Sequence, residues 1–77
     1  MVKYLTTADP VLSSVLKLMG YKMDRVELDH DVCFYSFDSV KAEDIKKFED
    51  NRIKVDPVIF AGIYASLIAL ADKLLKE

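Results

Sequence analysis

Seventy-seven residues, 52% of them hydrophobic, with a formal net charge of −2, allow one small domain with a thin core, since a chain this short buries only roughly 60–65% of its unfolded surface. Cys33 is the single cysteine and His30 the single histidine. An intramolecular disulfide is therefore excluded, and a Cys/His zinc site would have to be shared between chains. Oligomerisation is the remaining device that reinforces so small a core. The weak negative charge also excludes a whole-molecule attraction to nucleic acid or an anionic membrane.

Val2 to Leu5 is short and β-prone, and Thr6-Thr7-Ala8 leads to a helix. Asp9 suits the N-cap and Pro10 the first helical position, where its missing N–H costs no intrahelical bond. Val11, Leu12, Val15, Leu16 and Met19 follow helical spacing, which predicts a helix over 10–19 with Ser13, Ser14 and Lys17 outward and Gly20 as its left-handed exit.

Two β-rich runs, 21–28 and 32–37, flank Asp29-His30-Asp31 and predict a hairpin. Cys33, Tyr35 and Phe37 share one face of the second run, and Val32, Phe34 and Ser36 the other. Both faces are partly apolar, so this strand is expected at the sheet centre. Asp38-Ser39 then reads as the cap of a surface helix over 40–50 with a stripe of Val40, Ile45 and Phe48, and Ile53 to Val55 as a short strand or an extended lead-in.

Asp56-Pro57 repeats the capping chemistry of Asp9-Pro10 and opens a final helix over 57–76. Val58 to Ala71 is fourteen residues without a formal charge, closer to a buried core helix than to the roughly 20 apolar residues of a membrane span. On a helical wheel Ile59, Phe60, Ile63, Tyr64, Leu67 and Ile68 belong to an apolar arc of roughly 200°, about twice what an ordinary surface helix presents. Gly62, Ala65 and Ala69 on the remaining face would let another backbone approach closely. The fold class that follows is α+β, a small antiparallel sheet packed on one face by the first and last helices, with the second helix peripheral.

Thr6-Thr7 and Asp9 before an aliphatic helix, Gly20-Tyr21-Lys22 at its exit, Tyr35 and Phe37 followed by Asp38, Phe48 late in the second helix, Val55-Asp56-Pro57 with Phe60-Ala61, and the closing Leu74-Leu75 together resemble a small domain-of-unknown-function family of phages and bacterial genomes. The resemblance spans nearly the whole chain and implies a phage or mobile-element setting, with no chemistry to carry over. Tyr35 departs from it, because phenylalanine is expected there, and its added hydroxyl needs a partner if buried.

No catalytic, metal or phosphate-binding constellation stands out, and no cofactor is expected. Asp29-His30-Asp31, with Asp24 and Glu27 nearby, is the one cluster of potential metal ligands; a solvated hairpin tip is the stronger reading, and a metal-dependent hydrolase at Asp24, Asp29 and Asp31 the weakest of the functional ones. Cys33 among aromatics reads as a buried inert thiol. Tyr4, Tyr21, Tyr35, Tyr64 and Phe34 raise a base-stacking platform, against which core aromatics are the simpler account.

The expectation is a non-enzymatic interaction module, a homodimer formed through Phe60, Gly62, Ile63, Tyr64, Ala65, Leu67, Ile68 and Ala69. The alternative is a nucleic-acid accessory protein using Lys41, Lys46, Lys47, Arg52 and Lys54, although Glu43, Asp44, Glu49 and Asp50 are interleaved with them. A further protein partner remains open, and no membrane partner is expected. The opening MVKYLTTADP carries neither a secretory nor a transit pattern, so a cytoplasmic location is expected.

Overall fold

In the computed structural model, which describes residues 2–76, three strands and three helices follow in the order β1 (Val2–Thr7), α1 (Pro10–Leu18), β2 (Met23–Asp29), β3 (Val32–Lys41), α2 (Ala42–Glu49) and α3 (Pro57–Lys76). The sheet order is β1-β3-β2, with β3 antiparallel to both neighbours. The expected α+β arrangement holds, and the aromatic-rich strand is central. Because β1 and β2 both oppose β3, they run parallel to each other, and α1 is the crossover between them.

Local chemistry sets the helix ends. The Asp9 carboxylate accepts from the Val11 N–H at 2.9 Å, and Asp56 accepts from Val58 and Ile59 at 2.9 and 3.3 Å. Past α1, the Gly20 and Tyr21 N–H groups return to the Lys17 and Leu16 carbonyls, with Gly20 at φ 102°. This is the paired C-terminal closure in which a left-handed residue ends the helix. It delays β2, which starts at Met23 rather than Tyr21. Asn51 at φ 57° closes α2 in the same way, with Asn51 and Arg52 N–H groups returning to Phe48 and Lys47.

The expected cap at Asp38-Ser39 is corrected. Those residues lie inside β3, α2 begins at Ala42, and its N-cap, Lys41, makes no side-chain cap bond. The register jumps from Lys3↔Val40 to Leu5↔Phe37, so β3 carries one residue more than β1 across this interval. Ser39 takes the left-handed conformation, φ 57°, that such a bulge requires. The extra residue restores Val40 to the same face as Phe37, and both are fully buried. A second shift, between Met23 and Arg25, leaves Asp24 as the bulged residue of β2. Residues 53–55 form no strand and lead directly into α3.

The core lies between the helices and one sheet face. Leu16 of α1, Tyr35, Phe37 and Val40 of β3, and Leu67 of α3 are its buried centre, with Leu5, Met23, Val26, Cys33, Ile45 and Ile63 around them. Ser13 and Ser14, expected outward, are fully buried. Each hydroxyl returns to the carbonyl four residues back, Ser13 to Asp9 at 3.0 Å and Ser14 to Pro10 at 2.7 Å. Among the described residues no buried side-chain polar atom is left unpaired, and two small residues let α1 lie close to its neighbours.

Candidate functional site: the outward face of the C-terminal helix

Helix α3 uses one side for its own domain. Leu67 is 1% exposed, Phe60, Ile63, Tyr64, Leu70, Ala71 and Leu74 are half-buried, and α1 packs along the helix. Phe60 and Tyr64 stack on each other, with ring centroids 6.0 Å apart. Of the residues expected to mediate self-association, Phe60, Ile63, Tyr64 and Leu67 are therefore occupied, wholly or partly, within the protomer. Gly62, Ala65, Ile68 and Ala69 are exposed.

The outward face is apolar as well. Val58 is 80% exposed, Ile59 53%, Leu75 49% and Ile68 42%, and between them lie Ala61, Gly62, Ala65, Ser66 and Ala69. A Cβ added at Gly62 would meet nothing within 4 Å. Charge returns only at the end, where Asp72 pairs with Lys76 at 3.0 Å beside Lys73. A helix that is apolar all round is a buried helix or a membrane span, yet here one side faces open space. The helix also extends beyond the uncharged run to twenty residues, and an 18-residue window of it has a mean hydropathy of 1.8, so length and composition alone suffice to cross a bilayer.

A concave feature lies on the helix-free face of the sheet. A shallow depression of about 350 Å³ is lined by Tyr4, Thr6, Arg25, Glu27, Asp29, Phe34 and Ser36, all of which point away from the core. Its polar groups already satisfy one another. Thr6 and Ser36 hydroxyls are 3.0 Å apart, Arg25 pairs with Glu27 at 3.0 Å, and Tyr4 donates to Asp24 at 3.1 Å. The aromatics of the supposed stacking platform are dispersed: Tyr4 and Phe34 face this depression, Tyr35 is in the core, Tyr64 lies on α3 against Phe60, and Tyr21 sits at the start of α2. Two aromatics among Asp24, Glu27 and Asp29, with Arg25 neutralised, do not make a cationic track for a phosphate chain.

Lys41, Lys46, Lys47, Arg52 and Lys54 are all exposed. Arg52 pairs with Asp50 at 3.3 Å, and Lys47 lies 4.0 Å from Asp44. The cluster is thus interrupted by carboxylates in space as in sequence. At the hairpin tip, His30 and Asp31 have φ of 51° and 65°, the two positive values of a tight two-residue turn, and His30 Nδ1 rests 2.7 Å from the Asp29 carboxylate. Among the described residues no three His, Cys, Asp or Glu side chains converge as metal ligands. Cys33 is half-buried and free.

Sequence periodicity assigns Phe60, Ile63, Tyr64, Leu67 and Ile68 of the apolar arc to the interface together with the small face, because a wheel does not say which arc the protomer consumes. The small-residue face was visible as such, and its exposure is what the fold adds. Comparison with protein-family models, with curated proteins and with solved structures finds no match.

Proposed function

We propose that this chain is a non-enzymatic interaction module that self-associates through the outward face of α3. The exposed apolar surface of a helix whose other side is already docked carries this reading. Its size fits. The protein exposes 5297 Å², whereas a folded monomer of 8.8 kDa is expected to expose roughly 4,800 Å². The whole-molecule surplus, about 500 Å², runs in the direction expected of a chain that covers part of its surface by association.

A second copy would cover Ile59, Gly62, Ala65, Ile68 and Ala69 while leaving the core intact. The surplus is modest, so dissociation on dilution is part of the expectation. The setting we infer, a phage- or mobile-element-encoded protein of the cytoplasm, rests on the ordered caps and aromatics from Thr6 to Leu75. The nucleic-acid reading gains no specific observation, given the paired Arg52 and the neighbouring acids.

Light scattering behind a sizing column, read across concentrations, tests the reading. The mass should rise from near 8.8 kDa toward twice that value, and Ile68→Glu should hold it at the monomer with an unchanged circular dichroism spectrum. A monomer at every concentration would sink it.

A further inference from the structure

We propose that the connection between α2 and α3 is a processing site for an endoprotease of basic primary specificity, which cuts the Lys54–Val55 bond. The site does not depend on self-association. Residues 52–56 belong to no helix or strand, and exposure alternates along them: Arg52, Lys54 and Asp56 face solvent, while Ile53 and Val55 are half-buried. That is the alternation of an extended chain, and Pro57 favours the same conformation at Asp56. A substrate enters a protease cleft in this form, as an added strand whose alternate side chains fill pockets.

The bond lies between two closed helix ends. On one side Asn51 stands at φ 57° and the Arg52 N–H returns to the Lys47 carbonyl at 2.9 Å. On the other, the Asp56 carboxylate caps Val58 and Ile59, and its carbonyl takes the Phe60 N–H at 2.9 Å. Between these closures, among the described residues, Ile53, Lys54 and Val55 make no backbone hydrogen bond. Seating them in a cleft therefore breaks no such bond, which is the local condition for nicking a folded chain. Each helix keeps its own terminal bonds after the cut.

Competition among the basic residues selects the position. Of the eleven Lys and Arg, Lys22, Arg52 and Lys54 alone lie outside helices and strands among the described residues. Lys22 stands between Tyr21, whose N–H is bonded to Leu16 and whose hydroxyl is held by Asp44 and Lys41, and Met23, the first residue of β2. Arg52 pairs with Asp50 at 3.3 Å and follows Asn51, whose left-handed conformation interrupts an extended approach. Lys54 is exposed and, among the described residues, makes no ion pair. Its ammonium is free for the anionic pocket with which trypsin-like proteases select a basic side chain.

In the reaction, water adds across the Lys54–Val55 peptide bond. The C–N bond breaks, Lys54 ends in a carboxylate, and the Val55 nitrogen leaves as an amine carrying the proton. The products are 1–54, which holds the sheet with α1 and α2, and 55–77, which holds α3 with its Asp56 cap.

Limited digestion of the full chain by trypsin, read by intact mass spectrometry over time, tests the site. Fragments 1–54 and 55–77 should be the first products. Lys54→Gln should lengthen the life of the intact chain several-fold, and so should Val55→Pro, which keeps the lysine and removes only an amide that makes no backbone bond. Circular dichroism of both variants checks that the fold is retained. A first cut after Lys22, after Arg52 or within any helix or strand would overturn the proposal, as would an intact-chain lifetime that neither variant changes. Equal rates at all basic residues, the mark of cleavage through global unfolding, would overturn it as well.

Discussion

The Tyr35 hydroxyl, on the buried side of the central strand, donates to the Leu67 carbonyl of α3 at 3.3 Å. It ties sheet to helix at the centre of the core and gives the buried hydroxyl its partner. Burial first, and the neighbouring Cys33 second, push the Tyr35 phenol up to about 12.

That shift makes an alkaline prediction. The folded state holds the proton to about pH 12 while the unfolded chain releases it near pH 10, so stability is flat below pH 10 and falls between the two values. Tyr35→Phe should change stability by about 1 kcal/mol or less at neutral pH and flatten most of the alkaline decline. Urea denaturation at several pH values measures both, and an equally steep decline in the variant would contradict the assignment. Tyr21, also raised by burial and then by Asp44, contributes the remainder.

Tyr21 closes the start of α2. Its hydroxyl donates to Asp44 at 2.5 Å and accepts from the Lys41 N–H at 3.2 Å, standing between the two groups that an N-terminal capping box would join directly. Tyr21→Phe should cost about 1.5–3 kcal/mol, the range for bonds to charged groups. It should raise hydrogen exchange of the first α2 amides before those of β3. Uniform acceleration across both elements would argue against a local role.

The buried serines of α1 should tolerate loss of their hydroxyls and resist added bulk. Ser14→Ala removes a bond within the helix and improves helix propensity, by about 0.5 kcal/mol, so stability should hold or rise. Ser14→Leu overpacks a site with no exposed surface and should cost about 1–3 kcal/mol. Thermal denaturation of the pair decides, and a destabilising alanine would show that the hydroxyl does more than return to Pro10.

Left-handed positions held by ordinary residues are points of gain. Replacing His30-Asp31 by Asn-Gly should stabilise the hairpin turn, and Ser39→Gly should relax the β3 bulge, each by about 0.5–1 kcal/mol. Gly20→Ala should lose about 1 kcal/mol, since Gly20 stands at φ 102°. Chemical denaturation that ranks these in any other order would refute the account.

What was readable from sequence was chemistry acting within a few residues. Asp9-Pro10, Gly20 and Asp56-Pro57 mark helix ends through contacts spanning two to four positions, and those ends stand within a residue of expectation. What escaped depends on residues distant in the chain. Asp38-Ser39 has the composition of a cap, but its role is set by Lys3 and Leu5 across the ladder, which need a bulge to keep Val40 inside. Ser13 and Ser14 have the polarity of outward positions, whereas a helix carbonyl can satisfy a buried serine locally. The outward face of α3 was half legible for the same reason: its small residues follow from spacing, while the loss of Leu67 to the protomer core follows from Tyr35 and α1.

The sheet has two free margins, and they are unequally guarded. β2 presents the Asp24 bulge and the charges of Arg25, Glu27 and Asp29 to any approaching chain, but β1, Val-Lys-Tyr-Leu-Thr-Thr, has one lysine and no kink of its own. Backbone N–H and C=O groups on that side are an open template for strand addition. Of the two margins, Val2–Thr7 is therefore the one less guarded against addition of a further strand.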